Sequence, residues 1–204
     1  MKYDYGLWKI VIVNIMWVLL FIISFVQPKK KREWRSMGVI SAFFVALFTE
    51  MYGFPLTIYF ITSVLGYKLP VLNPLAHESG HLLASFGVGV DKAIIVCQLG
   101  SLIFGLGMLI IGMGWWQIHR SNGDLVTDGI YSYIRHPQYL GIFLLTVGMM
   151  IQWPTISTLV MWPILIYSYY RLAKKEERDV LNEFGQEYKE YRKNTPAFFP
   201  LQLK

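Results

Sequence analysis

The chain has 204 residues, enough for one domain, but 54% hydrophobic content, 16% aromatics and a mean hydropathy of +0.41 exclude an ordinary soluble domain. The formal charge of +6 is modest, and the basic residues concentrate in "KKKREWR" at 29–35 and between Arg171 and Lys193. Beside apolar runs, such blocks point to the cytoplasmic face of a membrane; no stacking motif is interleaved with them, which excludes a nucleic-acid partner. A lone cysteine, Cys97, excludes an internal disulfide and a multi-cysteine metal cluster.

In chain order, Leu7 to Val26 is long enough to cross the hydrocarbon as a helix and is read as a retained span, ended by Pro28 and the first basic block. Met37 to Leu65 is too long for one straight span and carries Glu50 and "GFP" at 53–55 midway. It reads as one long kinked or tilted helix, with a broken re-entrant helix as the competing reading. Residues 66–92 are more polar and read as an outer loop. That loop holds "HESGH" at 77–81, an H-E-x-x-H pattern able to seat zinc on a helix. A zinc protease also needs a third ligand, and His119, His136 and Asp128 fall on the opposite side in this topology. A packed, hydrogen-bonded loop helix is therefore the favoured reading, and no metal is expected.

Ala93 to Trp116 is a third span, rich in glycine; Gly105, Gly107, Gly112 and Gly114 suit either close helix packing or cofactor approach. A polar loop, 117–137, follows. Tyr139 to Ile151 and Ile156 to Tyr170 form a tight hairpin about "QWP", with Trp153 at a membrane interface. Leu181, Phe184, Tyr188 and Tyr191 then recur at steps of three and four, the signature of an amphipathic helix. The expected fold is all-α: a multi-pass helical membrane protein of about five transmembrane helices, N-terminus outside, with a cytoplasmic C-terminal helix. It is expected as a single integral membrane domain over 1–204, with N-terminal spans and outer loop in 1–92 and a core in 93–204. A plasma-membrane location is expected if the source is prokaryotic, and the oligomeric state is left open.

Two stretches on the same expected side carry the chemistry: "LVTDGIYSYIRHPQYLG" at 125–141 and "KKEERDVLNEFGQEYKEYRKNTPAFFP" at 174–200. An arginine and a histidine before a proline-started helix can hold a carboxylate, helped by the helix N-terminus. Paired glutamates can accept from hydroxyls or pair with an ammonium, and aromatics can stack on a base or face a cation. The bland alternatives are an interfacial anchor for Arg135-His136 and a solvated helix face for Glu176-Glu177.

Together these segments resemble the isoprenylcysteine carboxyl methyltransferase family and, more broadly, the phospholipid methyltransferases. The resemblance rests on Leu125, Val126, Gly129, Tyr131, Arg135, His136, Pro137, Tyr139 and Gly141, then Glu176-Glu177, Phe184-Gly185, Tyr188 and Tyr191, over roughly the last hundred residues. It implies S-adenosylmethionine as cofactor and a lipidic or prenylated acceptor, with carboxylate O-methylation favoured. Leu125, Val126, Gly129, Tyr131, His136, Tyr139, Glu176 and Glu177 are the implied cofactor-binding residues. Arg135 is the candidate to orient an acceptor carboxylate, and Glu177 the candidate base for an amine. The loop before Leu125 is shorter than in many relatives. The competing readings are a phospholipid N-methyltransferase, an NADPH-dependent sterol-type reductase, a non-enzymatic scaffold and the zinc protease.

Overall fold

A computed structural model describes residues 6–26, 31–66, 90–121 and 123–199, and every regular element among them is helical. The HESGH loop lies outside the described residues. Six α-helices follow in chain order: α1 (Trp8–Val26), α2 (Lys31–Phe48), α3 (Leu56–Ser63), α4 (Val90–Arg120), α5 (Pro137–Gln152) and α6 (Ile156–Asn194). A π-helical turn (Thr49–Gly53) follows α2, and a 3₁₀ turn (Gly129–Ser132) precedes α5. Ile94–Arg120 is long and apolar enough to cross a membrane; Gly38–Gly53 and Leu56–Ser63 pass that test together but bend by 62° at their break. Trp8–Leu20 and Pro137–Gln152 are shorter apolar helices.

The chain divides into two compact units, one of residues 1–102 and 148–165, the other of residues 103–147 and 166–204. In the first, Phe43 and Leu47 are fully buried, and Phe44, Phe48 and Tyr52 stack in succession along one helix face. The long second apolar stretch is thus two helices, broken where Phe54 N–H reaches back to the Thr49 carbonyl and Pro55 precedes α3. Glu50, buried at that break, explains how the bend tolerates a carboxylate. It accepts from the backbone N–H of Thr57 at 3.0 Å and from the hydroxyls of Thr57 and Ser157. Thr57 and Ser157 lie in the first turns of α3 and α6, where the helix dipole is positive. The Thr57 hydroxyl also receives the Ile156 N–H at 2.9 Å. Thr155 caps α6 reciprocally: its hydroxyl accepts from Thr158 N–H while its own N–H donates to the Thr158 hydroxyl. Trp153 is 3% exposed, so it packs inside the first unit where an interfacial position was expected.

In the second unit α4 and α5 touch backbone to backbone through glycine. A Cβ on Gly107 would stand 2.6 Å from the Gly141 carbonyl oxygen and 2.7 Å from the Leu145 nitrogen. Gly114 faces Pro137 and Gln138 of α5 and the Tyr131 hydroxyl, whereas Gly105 and Gly112 face open space. The G-x-G pairs of α4 therefore each place one glycine against α5. That settles the packing role of the second glycine in each pair.

This asymmetry gives paired variants. Gly107→Ala is expected to destabilise by about 1–3 kcal/mol, since its neighbours are backbone atoms that cannot yield locally. Gly105→Ala is expected to be neutral or to stabilise by about 0.5–1 kcal/mol through helix entropy. Thermal unfolding in detergent measures both; equal effects would contradict the packing.

Candidate active site

The end of α4, Ser121, the loop residues 123–136, the start of α5 and the second half of α6 surround a cavity of about 410 Å3 in the second unit. Its formation begins with the turn before α5. Gly129 sits at φ +54°, a left-handed conformation, and a Cβ there would fall 1.7 Å from Gln117 Nε2. Gln117 Oε1 accepts from Ile130 N–H at 3.2 Å and so pins the 3₁₀ turn to α4. The turn buries Tyr131, whose carbonyl accepts from the Tyr191 hydroxyl at 2.6 Å. Pro137 then opens α5, a position where its missing N–H is harmless.

Arg135 and His136, the two residues before that proline, converge on Glu177. Arg135 donates to Glu177 Oε1 through Nε at 3.0 Å and Nη2 at 2.6 Å. His136 Nε2 lies 3.3 Å from the same oxygen, and Lys174 Nζ lies 3.8 Å from the other. Arg135 Nη1 donates to the carbonyls of Arg192 and Thr195, so all three guanidinium nitrogens have partners within the protein. The Arg135 and Glu177 side chains are only 8% and 4% exposed. Burial by itself pushes the Glu177 pKa up, but the hydrogen bonds and charges of His136 and Arg135 outweigh it and bring the value down to about 2. Glu177 is thus a carboxylate throughout the ordinary pH range.

Glu176, the other member of the pair, is 38% exposed on its side chain and accepts from the Tyr139 hydroxyl at 2.5 Å. His136 Nδ1 stands 4.0 Å from it. The His136 ring stacks between Tyr139 and Phe198, with centroids 5.5 and 5.4 Å away. Burial, then the Glu177 charge, raise the Tyr188 phenol to about 12; burial also raises those of Tyr131 and Tyr191. These hydroxyls remain neutral donors.

Of the residues singled out from sequence, Leu125, Val126, Tyr131, Arg135, His136, Tyr139, Glu176 and Glu177 all line the cavity. Gly129 does not; it shapes the turn behind it. Val180, Phe184, Tyr188 and Tyr191 add an apolar and aromatic wall from α6. That wall is interrupted at Gly185, whose φ of 55° and ψ of −116° are not helical, so the residues on its two sides approach the cavity from different helical directions. The sequence marks the tail as part of the signal but not its pairing. Arg135 N–H and His136 N–H donate to the carbonyls of Pro196 and Ala197 at 2.9 and 3.0 Å, a backbone pairing to which side-chain identity is nearly irrelevant.

The sequence profile of the isoprenylcysteine carboxyl methyltransferase family matches residues 93–182. Among similar proteins, a Schizosaccharomyces pombe protein-S-isoprenylcysteine O-methyltransferase is 34% identical over 136 residues, 64% of this chain and 58% of that protein. A human protein of the same name is 32% identical over 77 residues, 37% of this chain and 27% of that protein. The cobalt-zinc-cadmium resistance protein CzcN of Cupriavidus metallidurans is 29% identical over 150 residues, 62% of this chain and 69% of that protein. The chain therefore aligns with little more than half of the fission-yeast relative and about a quarter of the human one.

The depressed Glu177 pKa links stability to pH. A carboxylate at about 2 when folded and 4.5 when unfolded stabilises fully above pH 4.5, and that contribution is lost as pH falls toward 2. The full contribution is of the order of 3 kcal/mol. In Glu177→Gln, unfolding followed by circular dichroism should show lower stability at pH 7, because Arg135 is left buried without its counter-charge. The same variant should have a flatter profile than wild type between pH 4.5 and 2. Parallel profiles would show that Glu177 is not the linked group.

Proposed function

We propose that the protein, whose residues 93–182 match the profile of the isoprenylcysteine carboxyl methyltransferase family, is an integral membrane methyltransferase that uses S-adenosylmethionine on a lipidic, prenylated acceptor. The observation that carries this reading is the single cavity joining the R-H-P-x-Y segment of 135–139 to the glutamate pair of 176–177. Its volume suits a small-molecule cofactor. The donor and acceptor set suits this one: Glu176 offers a carboxylate to ribose hydroxyls or to the ammonium. Tyr131, Tyr188, Tyr191 and Phe184 offer faces to adenine and to the cationic sulfur. S-adenosylmethionine, when bound, supplies a methyl group activated by its sulfonium.

The residues then divide by role. Arg135, with every nitrogen engaged by the protein, holds Glu177 and the tail in place; it is a positioning residue rather than a direct ligand of the acceptor. His136, fixed between two rings, presents its imidazole edge to both glutamates. Glu177, with a pKa of about 2, is a poor base for an amine. A carboxylate acceptor needs no base, because it is already nucleophilic. The site's contributions are alignment and exclusion of water, which favours O-methylation over N-methylation.

Five spans fit this activity. The polar cofactor reaches the cavity from the cytoplasm while the acceptor's lipid chain stays in the bilayer. The N-terminus then faces outward, and the loop 121–136 and the charged half of α6 face inward. The basic block at 29–35 supports that orientation.

Calorimetric titration with S-adenosylmethionine tests the cofactor assignment. Glu176→Gln and His136→Ala are each expected to weaken binding by about 30- to 150-fold, the loss of a charge-assisted hydrogen bond. Glu183→Gln, at an exposed position on the same helix, should leave it unchanged. Wild-type affinity in both site variants, or tight binding of NADPH in place of S-adenosylmethionine, would overturn the assignment. Transfer of labelled methyl to the carboxylate of a prenylated cysteine tests the acceptor.

A further inference from the structure

Outside the cavity, the second unit carries three pairs in which an aromatic ring and a basic residue four positions later stack as cation and π face. Arg120 Cζ lies 3.8 Å from the Trp116 ring centroid, Arg171 Cζ lies 5.7 Å from that of Tyr167, and Lys174 Nζ lies 5.6 Å from that of Tyr170. The three rings are between 46% and 61% exposed, well outside the core. Each pair has the same polarity along its helix. At steps of three and four along α4, exposed side chains read Leu109, Met113, Trp116, Arg120; along α6 they read Val160, Ile164, Tyr167, Arg171. Both series pass from apolar through aromatic to basic.

This order matches the gradient from hydrocarbon to headgroup. Indole and phenol rings settle at the interface, and arginine or lysine reaches the phosphate layer beyond it. A basic residue at a helix C-terminus is also explained by the helix dipole, and that suffices for Arg120, in the last turn of α4. It does not explain Arg171 and Lys174, which lie inside the 39 residues of α6, far from its end. The polar ends of the two helices also meet at one place, since Ile118 and Ser121 line the same cavity as Glu176 and Glu177.

We propose that Trp116–Arg120, Tyr167–Arg171 and Tyr170–Lys174 form a belt that binds the headgroups of anionic phospholipids and fixes the depth of the second unit in the membrane. The proposal rests on the membrane reading above. It also sets the level of the cavity. Glu176 is six residues beyond Tyr170 and Ser121 five beyond Trp116, which at 1.5 Å per residue puts them about 7.5–9 Å past the rings. The cavity then lies in the headgroup layer. A polar cofactor reaches that layer from water, and an acceptor's polar end emerges there from the lipid.

Electron paramagnetic resonance of spin-labelled phosphatidylglycerol and phosphatidylcholine, with the full chain reconstituted in phosphatidylcholine vesicles, tests the belt. Wild type should restrict phosphatidylglycerol about threefold or more strongly than phosphatidylcholine, and the preference should shrink as salt is raised. The triple variant Arg120→Gln, Arg171→Gln, Lys174→Gln should lose most of that preference. Arg178→Gln, Lys189→Gln and Lys193→Gln together, exposed but further along α6, should keep it. Equal restriction of the two lipids by wild type, or an unchanged preference in the first triple variant, would overturn the belt and leave the membrane reading standing. Absence of restricted lipid of either kind would overturn both.

Discussion

The second unit depends on one carboxylate. Glu177 is buried, and a buried carboxylate is tolerable only with charge and hydrogen bonds returned to it. Arg135 and His136 return them from a segment some forty positions earlier. Arg135 in turn spends its remaining nitrogen on the carbonyls of Arg192 and Thr195. Three separated stretches are thus fixed by one ionic cluster: the approach to α5, the middle of α6 and the chain beyond α6. The cavity is the space left among them.

The helices that present this cluster are brought close by an absence of side chains. Gly107 and Gly141 let α4 and α5 approach until backbone atoms touch, which draws the Gln117-pinned turn and the start of α5 together. The first unit meets a comparable demand with polar groups. Glu50, lodged where an apolar helix breaks, collects donors from the first turns of two other helices. In both units a feature that costs stability in isolation, a helical glycine or a buried acid, sits where only its removal would cost more.

Much of this was legible in the sequence. Apolar length gave α4 and α5 to within a few residues, and Pro137 marks a helix start by its chemistry alone. The cavity-lining residues were legible as a pattern, because R-H-P-x-Y and the paired glutamates are residue types with few bland uses together. Their partnership was less legible. Nothing in the spacing of Arg135 and Glu177 says that they face each other rather than a ligand. The division of α6 was also hidden: its apolar and charged halves read as two elements, yet one continuous run covers both, and its true interruption is at Gly185. The glycine pairs of α4 were ambiguous because packing and cofactor approach both call for a missing side chain; only the position of α5 decides. Trp153 misled because an aromatic beside a proline at a hairpin suits a membrane surface as well as a core.

The pairing of Arg135 and His136 with Pro196 and Ala197 has a consequence for the order of events during synthesis. Every described helix precedes the tail in the sequence, so residues 195–198, which satisfy Arg135 and cover His136, emerge from the ribosome after α1 through α6. Until then the guanidinium holds only part of its final set of acceptors, and the imidazole has one bare face. Completion of the site therefore coincides with the emergence of the last described residues. A released chain ending just short of them would hold its helices without a finished cavity.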